Sequence, residues 1–363
     1  MGLLATTTRG LEPVAIEETA TLTGADARRH HPGMLSVDAP PATAPTLQRY
    51  ARTLNRVLVV VGRTTFEGLE GLSRAVRAVD LPAYLQPDQP FAVRATRHGE
   101  HPFTSPDIER VAGQAVVDEF HERTGEAPPV DLDDPTVILR LFVRHERVVI
   151  AVDATGQYSL HRRAYRTREH EAPLRPTTAA AMVHLAGPDA GDRVVDPCCG
   201  CGTIPIETAL LAAGTPVRPT VDPALSDRHF PDADTDPPAN GIPSTLDVVA
   251  RDHDPAAVGA TRENAASAGV SAAVAVTKRD VTTDPVDADV LVTDLPYGIR
   301  TGSAQLPALY EGFAETVSAT DPDRLVVLTA NPDLLPYEPT ETYTVRRGNL
   351  EATLLVVDSP GST

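Results

Sequence analysis

All three cysteines of this 363-residue chain lie in one short segment, Asp196–Thr203, with the sequence DPCCGCGT. Clustered thiols could form a metal centre or a redox centre. A tetrahedral metal site needs three or four ligands that converge, and a Cys-Cys-x-Cys run by itself gives poor geometry for that purpose. We therefore expect no metal ion here, and we interpret the cysteines as small side chains packed within a turn.

The same segment has the features of a ligand-binding turn. A buried strand ends at Asp196, and a helix begins near Ile204. Gly200 and Gly202 lie between them and allow the backbone to approach a ligand closely. Because ligands of parallel sheets bind beyond the carboxyl ends of the strands, we expect a binding site at this turn. NAD is disfavoured, since Pro205 replaces the third glycine of the dinucleotide fingerprint.

Two further carboxylates end the next predicted strands, Asp252 after DVVAR and Asp280 after AVAVTKR. If the strands are parallel, both groups lie beside the glycine turn. There, one carboxylate could accept hydrogen bonds from ribose hydroxyls and the other from an adenine amine. The alternative is that acids at strand ends cap the following helices, which is the role we expect for Asp254 before Pro255.

The elements that carry these residues alternate as β-α-β-α from Asp192 onward, the pattern of a doubly wound parallel sheet. Residues 1–190 instead predict a mixed α+β fold. They contain two strands joined by the charged turn RHER and a helix opened by a Ser-Pro-Asp cap at 105–107. The Pro- and Asp-rich segment 215–245 has no periodicity, and we interpret it as an inserted surface loop.

The composition is strongly acidic, with a net charge of −18 and a single lysine, Lys278. Such chains are typical of salt-rich cytoplasms, where long-range charge effects are screened. A merely acidic protein from a GC-rich genome is the alternative. We expect no signal peptide, because the N-terminus lacks its charge and apolar pattern. No apolar run reaches the roughly 18–20 residues of a membrane span. We therefore expect a soluble protein of a reducing cytoplasm.

The fourth strand of the second half ends in Asp294-Leu295-Pro296-Tyr297-Gly298, which could be an ordinary Pro-Gly turn. After a buried strand, however, it resembles the D/N-P-P-Y/F motif of methyltransferases that act on amino groups. The resemblance implies that the Asp294 side chain and the carbonyl group of Leu295 or Pro296 accept hydrogen bonds from an exocyclic NH2. It also implies that Tyr297 stacks on the base, which must be flipped or unpaired to reach the site.

The complete set of motifs resembles that of S-adenosylmethionine-dependent methyltransferases with a THUMP domain. The motifs are DPCCGCGT with IPIE, ARDHDPAAVGATRENAASAGV, VTDLPYG and VRRGNLEATLLVV. Upstream, TRGLEPVAIEE resembles the start of their ferredoxin-like module, and LHRRAYRTREHEAPLRPTTAAAMVHLAG resembles their interdomain segment. The resemblance covers the chain except for 215–245 and roughly 30–50. It points to the archaeal and eukaryotic tRNA guanine-N2 methyltransferases, and IPIE with DLPYG is closer to the position-6 than to the position-10 enzymes.

The resemblance implies four segments. A ferredoxin-like module would occupy 1–85, a THUMP RNA-binding domain 86–158, and a linker 159–176. A Rossmann-like class I methyltransferase domain would occupy 177–363. We expect no obligatory protein partner, no membrane partner and no DNA partner.

The implied cofactor is S-adenosylmethionine. The implied cofactor-binding residues are Asp196, Cys198, Gly200, Gly202, Thr203, Asp252 and Asp280. Asp196 and the two glycines would bind the methionine end, Asp252 the ribose and Asp280 the adenine.

The implied macromolecular partner is tRNA. Residues 1–190 carry 21 arginines and 24 acids, whereas 191–363 carry 11 basic residues and 26 acids, so the second half would repel RNA. We therefore expect the first half and the linker arginines to contact tRNA phosphates. The candidate RNA-binding residues within the linker are Arg162, Arg163, Arg166 and Arg175. The alternative is that they pair with local acids such as Glu169 and Glu171.

Three other functions remain open from the sequence. One is a ribosomal RNA or DNA amino-methyltransferase with the same chemistry, although the tRNA-type N-terminal module argues against DNA. A second is a non-catalytic RNA-binding partner, which the intact DLPYG motif argues against. The third is a small-molecule methyltransferase, which would not need the arginine-rich first half.

Overall fold

The structure, a computed structural model, describes residues 2–169, 173–218, 241–298, 305–347 and 350–362. Most of the predicted insertion at 215–245 lies outside the described residues. The strands of the described chain form two seven-stranded sheets. No helix of this described part is both long enough and apolar enough to cross a membrane.

The first sheet belongs to the N-terminal half. Its strands are β1 (Leu3–Thr7), β2 (Ala27–His31), β3 (Met34–Val37), β4 (Leu54–Thr65), β5 (Phe91–His98), β6 (Val137–Arg144) and β7 (Arg147–Asp153), in the order β2-β3-β1-β4-β7-β6-β5. The hairpin predicted around RHER is confirmed, since β6 and β7 pair antiparallel across it. Strand β4 pairs with β1 on one side and with β7 on the other, so the predicted ferredoxin-like and THUMP modules share one continuous sheet. A boundary at 85 stays a prediction.

Four described helices cover one face of this sheet. They are α1 (Glu12–Thr23), α2 (Ala44–Tyr50), α3 (Gly68–Arg77) and α4 (Ser105–Thr124). Strand alternation places Val57 and Val59 in the core with these helices, whereas Leu58 faces the opposite side. Helix α4 begins with a reciprocal capping box of Thr104 and Asp107, one residue before the cap expected from the sequence.

The second sheet confirms the predicted doubly wound pattern. Its strands are β8 (Arg193–Asp196), β9 (Asp247–Asp252), β10 (Val274–Lys278), β11 (Val290–Asp294), β12 (Arg324–Thr329), β13 (Glu341–Arg347) and β14 (Leu350–Asp358), in the order β10-β9-β8-β11-β12-β14-β13. The first five are parallel, and β14 runs antiparallel to both of its neighbours. The topological switch point therefore lies between β8 and β11, where ligands of such sheets bind.

Helix α5 (Pro176–Ala186) joins the two halves, and α6 (Thr203–Ala212), α7 (Pro255–Ser267) and α8 (Leu306–Thr320) follow it. Most of α5 is buried, in one core with strands of the second sheet. It also touches α1: the hydroxyls of Thr178 and Thr8 are 3.3 Å apart, and His184 Nε2 is 3.4 Å from Glu18 Oε1. The junction of the two halves is thus a packed interface.

Candidate active site at the carboxyl edge of the second sheet

The glycine turn after β8 has a backbone conformation that favours glycine at two positions. Gly200 and Gly202 have φ angles of 54° and 82°, in the left-handed region. A Cβ atom at Gly202 would lie 2.6 Å from Thr261 Cγ2. The Thr261 hydroxyl in turn donates to the Gly200 carbonyl at 2.8 Å, and the Gly200 N–H donates to Asp252 Oδ2 at 2.9 Å. The turn is therefore fixed by α7 and by the end of β9.

Asp196, at the end of β8, is a buried carboxylate, and no basic side chain among the described residues forms an ion pair with it within 4.0 Å. Its exposed fraction is 3%. Oδ1 accepts from the Thr293 hydroxyl at 2.8 Å and from the Cys198 N–H at 3.1 Å, both uncharged donors. Burial, with Asp252 and Asp294 nearby, raises the pKa of Asp196 to about 8. A cationic ligand group at this carboxylate would restore its charged form.

The other two predicted cofactor carboxylates differ in their surroundings. Asp252 is mostly buried, and besides Gly200 it accepts from the Asp254 N–H at 2.9 Å. Asp280 is exposed, and hydrogen bonds from the Thr282 N–H and hydroxyl lower its pKa. The helix cap expected at Asp254 is confirmed, since its carboxylate accepts from Ala256 N–H at 2.8 Å.

The cysteines are packed within the turn. Cys199 and Cys201 are buried, and their sulfurs lie 3.5 Å from the hydroxyls of Thr261 and Thr203. Burial raises the pKa of the Cys198 and Cys199 thiols well above the ordinary value, which disfavours the thiolate that a metal or a redox partner needs. The expectation that the cysteines bind no metal ion stays a prediction.

Three hydrogen bonds fix the Asp294–Gly298 motif that follows β11. The Tyr297 hydroxyl donates to Asp294 Oδ1 at 2.6 Å. The Tyr310 hydroxyl donates to the Pro296 carbonyl at 3.1 Å. Leu295 turns inward: its exposed fraction is 1%, and its N–H donates to the Leu328 carbonyl at 3.0 Å. The leucine that replaces the first proline is therefore a core side chain, and only its backbone remains available to a substrate.

The sheet brings most of the predicted site together. Strands β8 and β11 are neighbours, and the Thr293–Asp196 hydrogen bond joins the residue before Asp294 to the glycine turn. Asp252 lies one strand further, and Asp280 follows β10 at the edge of the sheet. The sequence analysis missed the supports from α8 and β12, namely Tyr310 and the Thr329 hydroxyl 2.6 Å from it.

Asn264 on α7 is a second residue that the sequence analysis missed. It is fully buried. Its side chain accepts from the N–H groups of Thr167 and Arg168 at 3.1 and 3.0 Å. It donates to the carbonyls of Arg168 and Cys201 at 2.8 and 2.9 Å. One amide thus fastens the linker to the glycine turn. The only sequence signal is the ENAASAG stretch itself.

Arg163 does not lie on an RNA-accessible surface, which corrects the expectation for this residue. Its side chain is 3% exposed, and its Nε donates to Glu207 Oε1 at 3.0 Å. Arg52 of the N-terminal half donates to Glu207 Oε2 at 2.8 Å, and the Tyr165 hydroxyl donates to Oε1 at 2.9 Å. We call these four residues the junction cluster; it holds the two halves together.

The other three arginines of the predicted RNA-binding set have different environments. Arg162 is exposed, with its guanidinium 5.2 Å from the ring centroid of Tyr158. Arg175 is exposed at the start of α5. The Arg166 side chain is only 13% exposed and lies 3.4 Å from Glu169, the local acid considered as the alternative partner. Arg162 and Arg175 are thus the accessible members of the predicted set.

Comparison with known proteins decides the family. Residues 163–352 match the family described as RMKL-like, methyltransferase domain (UPF0020), and residues 67–153 match the THUMP domain family. The chain belongs to this family of THUMP-containing methyltransferases. Over 90% of its length it is 34% identical to the tRNA (guanine(6)-N2)-methyltransferase of Archaeoglobus fulgidus, of which it covers 82%.

Two further comparisons concern a ribosomal RNA enzyme and a crystal structure. The chain is 29% identical, over 98% of its length, to the ribosomal RNA large subunit methyltransferase K/L of Stutzerimonas stutzeri, but covers only 52% of that protein. The structure also superposes on the crystal structure of TrmN from Thermus thermophilus with a TM-score of 0.76. The match covers 99% of each chain, and the two sequences are 28% identical. The expected fold class, a Rossmann-like methyltransferase domain behind a THUMP region, is confirmed.

Proposed function

We propose that this chain transfers a methyl group from S-adenosylmethionine to the exocyclic N2 of a guanosine in tRNA, with position 6 of the acceptor stem favoured and position 10 next. The observation that carries the proposal is the placement of Asp294 and Tyr297 at the switch point, joined to the glycine turn through Thr293 and Asp196. Similarity to the archaeal tRNA guanine-N2 enzyme supports this substrate.

The cofactor end of the site fits the methyl donor. S-adenosylmethionine supplies a methyl group on a sulfonium, which needs no further activation, so the protein contributes position and electrostatics. Gly202 leaves room for Thr261, which fixes the turn beside the expected ligand position. Asp196 would bind the amino group of the methionine end, because this buried carboxylate has only uncharged donors of its own. Asp252 would bind the ribose and the exposed Asp280 the adenine.

The substrate end of the site fits an exocyclic amine. Asp294 would accept a hydrogen bond from N2 and stabilise the positive charge that develops there as the methyl arrives. The Tyr297 hydroxyl holds this carboxylate at 2.6 Å, and its ring would hold the plane of the base. The Pro296 carbonyl accepts from Tyr310 and keeps a second lone pair for the amine.

The test of the catalytic assignment is Asp294→Ala. We expect tRNA and cofactor affinities close to those of the wild type and a methyl-transfer rate lower by about 10²-fold or more, since a charge-stabilising acceptor is lost. Glu315→Ala, an exposed acid on α8, is the matched control and should leave the rate unchanged. A wild-type rate for Asp294→Ala would contradict the role. Mass-spectrometric mapping of methylguanosines in the product decides the position.

A ribosomal RNA substrate is the second candidate, because 98% of this chain is similar to part of the K/L enzyme. Transfer of a tritiated methyl group to total tRNA, total ribosomal RNA and DNA in parallel separates the possibilities. We expect label in tRNA. Label found only in ribosomal RNA would show that the chain performs the same reaction on that substrate instead.

Arg162 and Arg175 are proposed as tRNA phosphate contacts of the linker. Both are exposed, and both lie near His161, whose pKa falls to about 4 through burial and the neighbouring arginines. Such a concentration of cations favours a phosphate. Arg166 is a weaker candidate, because Glu169 and its own burial limit its access.

We also propose a cytoplasmic protein adapted to high salt. The acidic composition and the single lysine support this. Activity and thermal stability that rise with KCl into the molar range would agree with the proposal, and an optimum at low salt would contradict it.

A further inference from the structure

Charge is segregated between the two layers of the N-terminal half. Strands β1–β7 contain nine arginines and one acid, Asp153, whereas helices α1–α4 contain nine acids and five arginines. Strand alternation places several of these arginines on the face that the helices leave uncovered. Arg63 is paired in register with Val149 and Arg144 with Arg147, on the face opposite to the helix-covered core.

This face, which the helices do not cover, contains a groove of about 1280 Å³, here called the sheet groove. Its floor is apolar and includes Leu4, Met34, Phe142 and Val149. Its rim includes Arg63, Arg144, Arg147, His30, His31 and His98. The ends of strands β2 and β6 come together across the groove because the sheet is twisted, and Arg144 Nη1 lies 2.9 Å from His31 Nδ1. Among the described residues that line it, Glu146 is the single acid.

The rim cations lack the partners that arginines have on the helical layer. There, Arg77 and Arg123 bind Glu119 with N–O distances of 3.0 and 2.5 Å. Within the described ranges, by contrast, no carboxylate oxygen lies within 4.0 Å of the guanidinium nitrogens of Arg63 or Arg144. Burial and then the neighbouring cations also lower the pKa of His30 and His31. An anionic ligand would relieve this repulsion.

The edge of the sheet groove lies close to a contact between the N-terminal half and the catalytic half. Gly33 at its edge lies beside Arg9, and the Arg9 carbonyl accepts from the Arg346 N–H at 3.4 Å. Arg346 lies at the carboxyl end of β13. Because β13 runs parallel to β12, this end lies at the same edge of the second sheet as Asp294.

We propose that the sheet groove binds the phosphate backbone of the RNA substrate, with Arg63, Arg144 and Arg147 as the contacting cations. This proposal rests on the proposed function, since it assigns a surface to the same substrate. It moves the main RNA contact away from the linker and onto the sheet face that the helices leave open. The occupant is RNA because the rim is cationic and polar, and because the edge of the groove lies beside a contact with the catalytic half.

The test compares two triple variants that remove equal charge. The groove variant is Arg63→Ala, Arg144→Ala and Arg147→Ala, and the control variant is Arg74→Ala, Arg110→Ala and Arg123→Ala on the helical layer. Affinity for total tRNA and total ribosomal RNA is measured against salt concentration. We expect the groove variant to bind about tenfold or more weakly at low salt, with a log–log salt slope reduced by about 2 to 3, since each phosphate contact contributes nearly one unit.

The control variant should retain its affinity within about twofold, because its side chains lie away from the proposed contacts. Cofactor affinity should be unchanged in both, and the groove variant should raise KM for RNA more than it lowers kcat. Equal RNA affinity and equal salt slope in the two variants would overturn the groove assignment while the wild-type activity stands. A wild-type protein that binds and methylates no RNA would instead overturn both the groove and the proposed function.

Discussion

Glu207 and Asp196 are both buried carboxylates, yet their partners differ and their pKa values shift in opposite directions. Glu207 in the junction cluster receives two buried arginines, Arg163 and Arg52, which hold its pKa below the ordinary value although burial alone would raise it. Asp196 receives a hydroxyl and one backbone N–H, and burial raises its pKa to about 8.

The difference separates a structural acid from a ligand-binding one. A buried charge is tolerated when the protein itself supplies the opposite charge. Glu207 meets that condition permanently, so it fastens the two halves whether or not a ligand is present. Asp196 does not meet it, and the missing cation corresponds to the amino group of the cofactor in our proposal.

The largest expected effect comes from Glu207→Gln. Because Arg52 and Arg163 would remain buried without a counter-charge, we expect the free energy of unfolding to fall by about 3–5 kcal/mol. Denaturant unfolding measures this. Glu263→Gln is the control, since its pair with Arg168 is solvent-exposed and worth less than about 1 kcal/mol.

Glu207→Gln could also prevent folding altogether. The triple change Arg52→Met, Arg163→Met and Glu207→Leu removes all three charges, and we expect it to be more stable than Glu207→Gln alone. Equal effects of Glu207→Gln and the Glu263→Gln control would show that the junction cluster does not hold the interface.

A smaller effect is expected from Asp196→Asn. Stability should change little, because the amide still accepts from Thr293 and no cation is left alone. Affinity for S-adenosylmethionine should fall by about 10- to 100-fold, which corresponds to the loss of one charge-assisted hydrogen bond. Calorimetric titration measures it. An unfolding cost as large as that of Glu207→Gln, with unchanged affinity, would reverse the assigned roles.

The smallest effect is a pH dependence of cofactor binding. Below its pKa of about 8, Asp196 is protonated in the free protein and must lose its proton to pair with an ammonium group. Affinity should therefore rise between about pH 6 and pH 7.5, by at most roughly tenfold per pH unit. Asp196→Asn should lack this rise. A wild-type affinity that is flat over this range would remove the link between the raised pKa and the ligand.

The sequence predicted the second sheet and the strand ends that carry the candidate site residues, because both depend on local pattern. Buried strands read as continuous apolar runs, and their last residues fall at one edge of a parallel sheet. Asp196, Asp252 and Asp294 could be placed in this way. The polar edge strand β2, with the sequence ARRHH, carries no such run and was not predicted.

The residues that sequence analysis misplaced depend on partners far along the chain. Arg163 stands among other arginines, and nothing near it in sequence shows that Glu207 lies within hydrogen-bond distance. The role of Asn264 also has no signal in the neighbouring sequence, because its partners come from the linker and from the glycine turn. Tertiary contacts of this kind decide which member of a basic cluster is a surface residue.

The continuous N-terminal sheet has a practical consequence for dividing the protein. A fragment that ends near residue 85 would keep β4 but lose β7, which covers the β4 edge from Leu58 to Thr65. The exposed edge would be long and rich in valine, a template on which identical chains pair and aggregate. Fragments of the RNA-binding half should therefore extend past Asp153, so that every strand that borders β4 is retained.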